Sequence, residues 1–337
     1  MKTNNFMEVV QKYNSKKYIE NLKQNELVIY SPTSIEKNNI DNNQCLMVNW
    51  HDITKNIDKI EKFIKENKNI ITVVSYGGGS TIDIGKYIAY KLNINFTCIP
   101  TMLSTNSYAT NKVALIKENK KVTLEAKIPE TIIIDDKLLN LSKEENIYGL
   151  ADVFSIYTAL YDWKVAQKDI NEKIDYNIYN MAEKLLQDVV KFVNSNRFED
   201  IVKNNIKLFE FIGIAGYITN LYGTGRPESG SEHIMAKEIE RRINVPHGMS
   251  VSIGILIMGL MQNRDISEIV KVIKKLNIFE KADKYGLNKE IIEKSFMDLK
   301  SREGRYSIVN RYENKIEEKQ KILKELYSII DGEIELC

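Results

Sequence analysis

The sequence predicts an α/β N-terminal half, built as a doubly wound, mostly parallel, Rossmann-like sheet, followed by an all-helical C-terminal half. Three observations carry this expectation. Short β-branched runs alternate with helical patterns through about residue 140, the signature of a mostly parallel sheet. Beyond that point segments of helical periodicity follow one another and strand runs stop. The first 76 residues hold no glycine, and then Gly77, Gly78 and Gly79 arrive together behind a strand pattern. Glycine is used where the backbone needs φ > 0 or where another group must come close.

Taken in order, residues 6–24 carry a helix-like pattern. Leu27–Tyr30 and Cys45–Val48 read as strands, and Ile53–Asn67 as a helix with Ile57, Ile60, Phe63 and Ile64 on one face. Ile70–Tyr76 is a buried strand, Thr81–Leu92 a helix, Phe96–Ile99 a strand ending at Pro100, and Thr131–Ile134 a further strand. Helices are expected over 176–194, 199–222, 231–243, 248–262 and 265–278. No Pro-rich or low-complexity linker separates the halves. They divide into 1–145 and 146–337, with a cleft expected between them.

Composition narrows the class. Lys plus Arg is 48 and Asp plus Glu is 46, a net charge of +2. That balance argues against nucleic acid as a partner, because displacing counterions needs surplus cations. The longest strongly apolar stretch, Val251–Met261, is well short of the ~20 residues of a membrane helix. The polar start MKTNNFMEVVQKYNSKK lacks the apolar core of a signal peptide. Cys45, Cys98 and Cys337 are too scattered for a disulfide framework or a cysteine zinc site, so a reducing cytoplasm is the expected compartment.

Three segments carry chemistry. Strand, glycine turn and helix start follow one another in ITVVSYGGGSTIDIGK, where bare backbone N–H groups can meet a pyrophosphate. A plain tight turn reads the same way, and Asp83 and Lys86, three apart, can pair on the helix surface. The next strand ends in a loop dense in hydroxyls: Thr101, Ser104, Thr105, Ser107, Tyr108 and Thr110. Such a loop beside a glycine turn is where doubly wound sheets bind ligands. Only three histidines are present, and two fall at predicted helix starts. His233 follows Ser229 and Glu232, whose spacing matches a capping box; His247 sits in the turn VPHGM. Helical spacing puts His233, Lys237 and Glu240 on one face. Two histidines need a carboxylate for a three-ligand metal site, and Asp152, an acid in an apolar stretch, is the best candidate; helix capping is the alternative.

These segments jointly resemble the superfamily of iron-containing alcohol dehydrogenases, glycerol dehydrogenases and dehydroquinate synthases. GGGSTIDIGK is similar to its G-G-G-S-x-x-D-x-x-K loop and CIPTMLST to its P-T-x-x-S loop. GLADVFS, SGSEH and PHGMSVSIG are similar to its Asp, His and His metal-ligand segments. Within the superfamily the chain looks most like the sn-glycerol-1-phosphate dehydrogenase group. GRPESGSEH resembles that group's R-P-A-S-G-A-E-H, Asp162-Trp163 its D-W, and GRYSI at 304–308 its R-Y-T-x-L. The likeness spans roughly residues 25 to 310.

The resemblance implies a dehydroquinate synthase-like fold and a metal-dependent, NAD- or NADP-linked reduction of dihydroxyacetone phosphate to sn-glycerol 1-phosphate. It implies that Gly77, Gly78, Gly79, Ser80 and Asp83 bind the dinucleotide and that Thr101, Ser104 and Thr110 line its nicotinamide end. Asp152, His233 and His247 would hold Zn2+, with Fe2+ as the alternative, and Asn106, Lys112, Arg226 and Lys237 would meet a small phosphorylated substrate. A homo-oligomer is the family habit. Departures keep two other readings open. Lys112 stands where dehydroquinate synthases keep a catalytic lysine, although Ser155 replaces another, so a cyclase is the first alternative. Asn106 replaces an expected Asp and the N-terminus is short, which motivates a non-catalytic nucleotide-binding relative as the second; Lys237 replaces a second His, but a lysine can still hold a phosphate as a point charge.

Overall fold

The computed structural model describes residues 8–11 and 14–334. The chain divides into two compact units at Asn146–Ile147. The first contains a six-stranded sheet in the order β1-β8-β5-β4-β2-β3, parallel throughout. Its strands are β1 (Glu8–Gln11), β2 (Glu26–Tyr30), β3 (Leu46–Asn49), β4 (Thr72–Gly77), β5 (Asn95–Pro100) and β8 (Thr131–Ile134). The central strands are covered on both faces, which is why they read as continuous apolar runs: Leu27, Val28 and Ile29, Val73 and Val74, Ile132 to Ile134 are all buried. The chain turns outward from β2 to β3 and the opposite way from β4 to β5. The sheet therefore reverses its winding between β2 and β4, and the glycine turn leaves the carboxyl end of β4 at that switch point.

Three local expectations are corrected. The pattern over 6–24 is not one helix. Its described part is strand β1, paired with β8, followed by the helix Ser15–Glu20, capped by the Asn14 side chain. Residues 112–125, which drew no strand expectation, form an antiparallel hairpin of β6 (Lys112–Lys117) and β7 (Lys120–Glu125). Its two-residue turn puts both Glu118 and Asn119 at positive φ, 49° and 60°, as tight hairpins require. The lysine-rich flanks hide it, because only Val113 and Leu115 are buried. The helix expected over 199–222 breaks at Asn204, whose side chain accepts from Lys207 N and starts a second helix, Asn205–Tyr222.

The second unit is helical. Its central helix, His247–Met261, is buried along nearly its whole length, so the long apolar run belongs to a protein core. No helix among the described residues is long and apolar enough to cross a membrane. Cys337 lies outside the described residues.

Candidate active site

In the first unit, the helix Gly79–Leu92 starts behind Gly78 with no side-chain cap, so its first N–H groups are left for another acceptor. None of Gly77, Gly78 and Gly79 has positive φ; their use is close approach. A Cβ on Gly78 would project into open space, and one on Gly79 would stand 3.0 Å from Thr105 Oγ1 and 3.4 Å from Ser107 Oγ. The hydroxyl loop therefore lies against the glycine turn. Thr101 is buried at the junction, its N–H donating to Gly77 O (3.1 Å) and its Oγ1 accepting from Ser34 Oγ (3.0 Å). Ser104 and Asn106 are half-buried in the same loop.

Other residues of this unit are committed elsewhere. Asp83 Oδ2 accepts from Lys55 Nζ (2.8 Å) and from Ala114 N (3.2 Å), so its carboxylate ties the helix to β6. Thr110 Oγ1 exchanges hydrogen bonds with Lys112 N and O, closing the loop on itself. Lys112 Nζ reaches Glu125 at 2.7 Å across the hairpin.

In the second unit, Asp152, His233 and His247 converge, each offering one ligand atom, with all three atoms within 4.8 Å of one another. Asp152 lies in the short helix Leu150–Phe154 and is 4% exposed. His233 is in the first turn of the helix Ser231–Glu240, and His247 opens the helix His247–Met261. Two glycines allow this closeness: a Cβ on Gly248 would collide with the Tyr148 carbonyl, and one on Gly254 with the Glu232 carbonyl. The Nε2 atoms of His233 and His247 stand 3.6 and 3.5 Å from Asp152 Oδ1. Ligand atoms around one tetrahedral ion of bond length about 2.1 Å are separated by about 3.4 Å.

The other side of each imidazole is what turns proximity into a metal-type site. His233 Nδ1 meets Glu232 Oε1 at 2.7 Å, and His247 Nδ1 meets Glu240 Oε1 at 2.5 Å. A carboxylate on Nδ1 keeps a proton there, so that in the neutral imidazole Nε2 carries the lone pair and faces Asp152. Glu232 is fully buried and also accepts from Thr158 Oγ1 (2.6 Å) and Gly230 N (2.5 Å); Glu240 also accepts from Ser250 Oγ (2.9 Å). Burial by itself would push the Asp152 carboxyl up, but the two facing imidazoles outweigh it and hold it well below the usual range. Burial depresses His233, and Asp152 and Glu232 override this and raise it to about 9; His247 is raised in the same way by Asp152 and Glu240. A cation is what this acid-rich cluster accommodates, and a divalent ion meets the donor set of two neutral nitrogens and one carboxylate.

The capping box expected from Ser229 and Glu232 does not form. The helix is preceded by Gly230, which has no side chain to cap it, and Glu232 accepts from the Gly230 N–H and meets His233 with the same oxygen. Neither Glu232 nor Glu240 was singled out as a histidine partner by the sequence. The available signal was Glu240 on the face of His233 and Lys237, a face that the helix does present. Arg226, expected at the substrate, is 3% exposed and grips Glu172 with two nitrogens (2.8 and 2.7 Å). Ser155, in place of a lysine, has its Oγ within hydrogen-bond reach of both the Glu228 and the Asp152 carbonyls, where its single O–H bridges two backbone segments.

Three motifs distant in sequence meet at one buried carboxylate. Asp162 accepts from Ser231 N (2.7 Å), Ile308 N (2.9 Å) and Gln262 Nε2 (3.2 Å), and Arg305 donates to Ser229 O. The D-W, SGSEH and GRYSI segments thus form a single knot that fixes the start of the His233 helix. Burial, with Glu232 adding to it, pushes the Asp162 carboxyl up to about 6.

A glycine turn at the switch point of a parallel sheet, and histidines locked by carboxylates onto a third acid, are what a metal-assisted, dinucleotide-linked dehydrogenase is built from. Comparison with known proteins agrees. The iron-containing alcohol dehydrogenase profile matches residues 16–142. The glycerol-1-phosphate dehydrogenase of Sulfurisphaera tokodaii, whose name gives NAD(P)+ as cofactor, is 30% identical over 82% of this chain and 79% of its own. That of Methanococcus aeolicus is 29% identical over 81% of this chain and 83% of its own. Among solved structures, a probable glycerol dehydrogenase from Sinorhizobium meliloti superposes with a TM-score of 0.67 at 14% identity, covering 96% of this chain and 97% of that one. The chain belongs to the iron-containing alcohol dehydrogenase family, and it is an NAD(P)-linked oxidoreductase.

Proposed function

We propose that the chain reduces dihydroxyacetone phosphate to sn-glycerol 1-phosphate, with a divalent metal held by Asp152, His233 and His247. The observation that carries the metal half is the pair of Nδ1–carboxylate contacts, which aim both Nε2 atoms at Asp152. The substrate half rests on the relatives' names and on Lys237, one turn beyond His233 on the same helix face, where an ammonium can take a phosphate as a point charge.

When bound, the metal polarises the ketone and the reduced dinucleotide supplies the hydride. The protein's own part is orientation. Glu232 and Glu240 hold the imidazoles in one tautomer, and Asp162 fixes the helix start that carries His233. Gly78, Gly79 and Ser80 present the uncapped helix start to the pyrophosphate, and Thr101, Ser104 and Asn106 line the loop beside it. The helix Pro32–Asn38 behind β2 has no acid in its first turn to oppose a ribose phosphate, which supports use of both NADH and NADPH. Zinc is the preferred ion for this nitrogen and carboxylate set, and iron(II) satisfies it as well.

The test is oxidation of NADH and NADPH by the metal-loaded protein with dihydroxyacetone phosphate, alongside unphosphorylated dihydroxyacetone and other small ketones, with elemental analysis and chiral analysis of the product. Preference for the ketose phosphate with formation of the 1-phosphate supports the proposal. Reduction of only unphosphorylated ketones overturns the substrate assignment.

A further inference from the structure

The loop from Thr101 to Lys112 is held from inside by a group that none of the chemistry above uses. Lys86 lies about two turns into the helix Gly79–Leu92 and is fully buried. Its Nζ donates to the carbonyls of Ser107 (2.7 Å), Thr110 (3.0 Å) and Lys112 (2.6 Å). An ammonium has three N–H groups, and here each finds an acceptor. Asp83, one turn earlier on the same helix, braces the arrangement: its Oδ1 lies 3.9 Å from Lys86 Nζ, while its Oδ2 holds Lys55 and the backbone of Ala114. Asp83, Lys55 and Cys98 are the charged and titratable groups that bear on Lys86; burial pulls the ammonium down to about 8, and Asp83 opposes the fall.

A surface pair at this spacing contributes little, whereas taking an ammonium fully out of water is costly. Such a cation persists only where its acceptors are fixed around it. All three acceptors are main-chain atoms of one loop, so Lys86 sets the path of the backbone whatever side chains the loop carries. The same helix presents its N-terminus beside Gly78, and the loop returns over it at Thr105 and Ser107.

We propose that Lys86, braced by Asp83, is a positioning residue that registers the hydroxyl loop against the glycine turn and thereby sets the affinity for the nicotinamide half of the dinucleotide. This rests on the reading of that loop as the nicotinamide side.

The experiment uses the full-length, metal-loaded protein and Lys86→Met, titrated with NADH and NADPH by fluorescence well below the variant's Tm. Amide hydrogen exchange is followed in peptides covering 101–112. At least a tenfold weaker Kd and faster exchange confined to the loop are expected, with metal content unchanged. Lys86→Gln, which keeps two N–H donors, is expected to fall between the two and serves if the Met variant does not fold. A folded variant with Kd and loop exchange within twofold of wild type overturns the proposal. Wild-type protein that binds neither dinucleotide overturns the reading of the loop instead, and the exchange measurement separates the two failures.

Discussion

The hydroxyl loop of the first unit and the histidine cluster of the second are both held by buried charge, in opposite ways. In the loop one cation, Lys86, grips main-chain carbonyls. In the cluster carboxylates grip side-chain nitrogens, Glu232 on His233 and Glu240 on His247. The carbonyl contacts of Lys86 do not depend on which side chains the loop carries at those three positions, and they place part of the loop's support on a residue of another element. A cluster held through side chains depends on every member, and a change at any of them reaches the donor atoms directly.

The sharpest way to break this contrast is His247→Ala. Removing one of three ligands should abolish retention of the metal on dialysis and lower turnover by about a thousandfold or more. The fluorescence titration with dinucleotide should stay within about twofold, because the loop's support lies in the other unit. A variant that keeps both metal and turnover refutes the site.

Protonation gives the next effect. His233 in the metal-free protein has its pKa raised to about 9, above the unfolded value of about 6.5. The stabilisation from its ion pairs with Asp152 and Glu232 is therefore fully present below about pH 6.5 and is lost as the pH rises through about 9. Metal needs the neutral imidazole, so its affinity moves the other way, rising roughly tenfold per pH unit for each imidazole still protonated. Thermal melts of the metal-free protein and chelator competition across pH 6 to 9.5 should show opposite slopes. Parallel slopes would remove the imidazolium–carboxylate account of the cluster.

Glu232→Gln and Glu240→Gln test the orienting carboxylates. Each should cost about 10–100-fold in metal affinity while all three ligands remain. Glu232 should cost more, being fully buried with three donors upon it, whereas the Glu240 side chain is 18% exposed. Chelator competition checks the order, and equal wild-type affinity in both variants would reduce these carboxylates to packing.

The same contrast explains how much could be read from the sequence. The convergence of Asp152, His233 and His247 was legible because each occupies a segment with its own signature and a three-donor cluster restricts residue type. The parallel sheet was legible because its strands are buried on both faces and run as unbroken apolar stretches. Glu232 and Glu240 were harder, since a glutamate in a helix most often faces solvent and only the fold shows which imidazole it meets. Lys86, for the same reason, looks in the sequence like half of a surface pair with Asp83. Its partners are carbonyls, which every residue has, so no side chain in the loop records the contact. The β6–β7 hairpin escaped because its lysines overlay a period-two pattern in which few positions are buried.

The smallest effect is expected at Lys112, and it separates main chain from side chain within a single residue. Its carbonyl is one of the three that Lys86 holds, while its ammonium reaches across the hairpin to Glu125, a side chain 71% exposed to solvent. An exposed pair of this kind contributes little, because water screens it and both side chains lose freedom in forming it. Lys112→Ala leaves the carbonyl in place, so the path of the loop should not change. Dinucleotide Kd, turnover with the ketose phosphate and Tm should each remain close to wild type, turnover within about twofold. The cyclase alternative makes the contrary demand, since there a lysine at this position takes part in the chemistry. A loss of turnover far beyond that range, with loop exchange and Kd unchanged, would move Lys112 from the hairpin into the reaction and reopen that alternative.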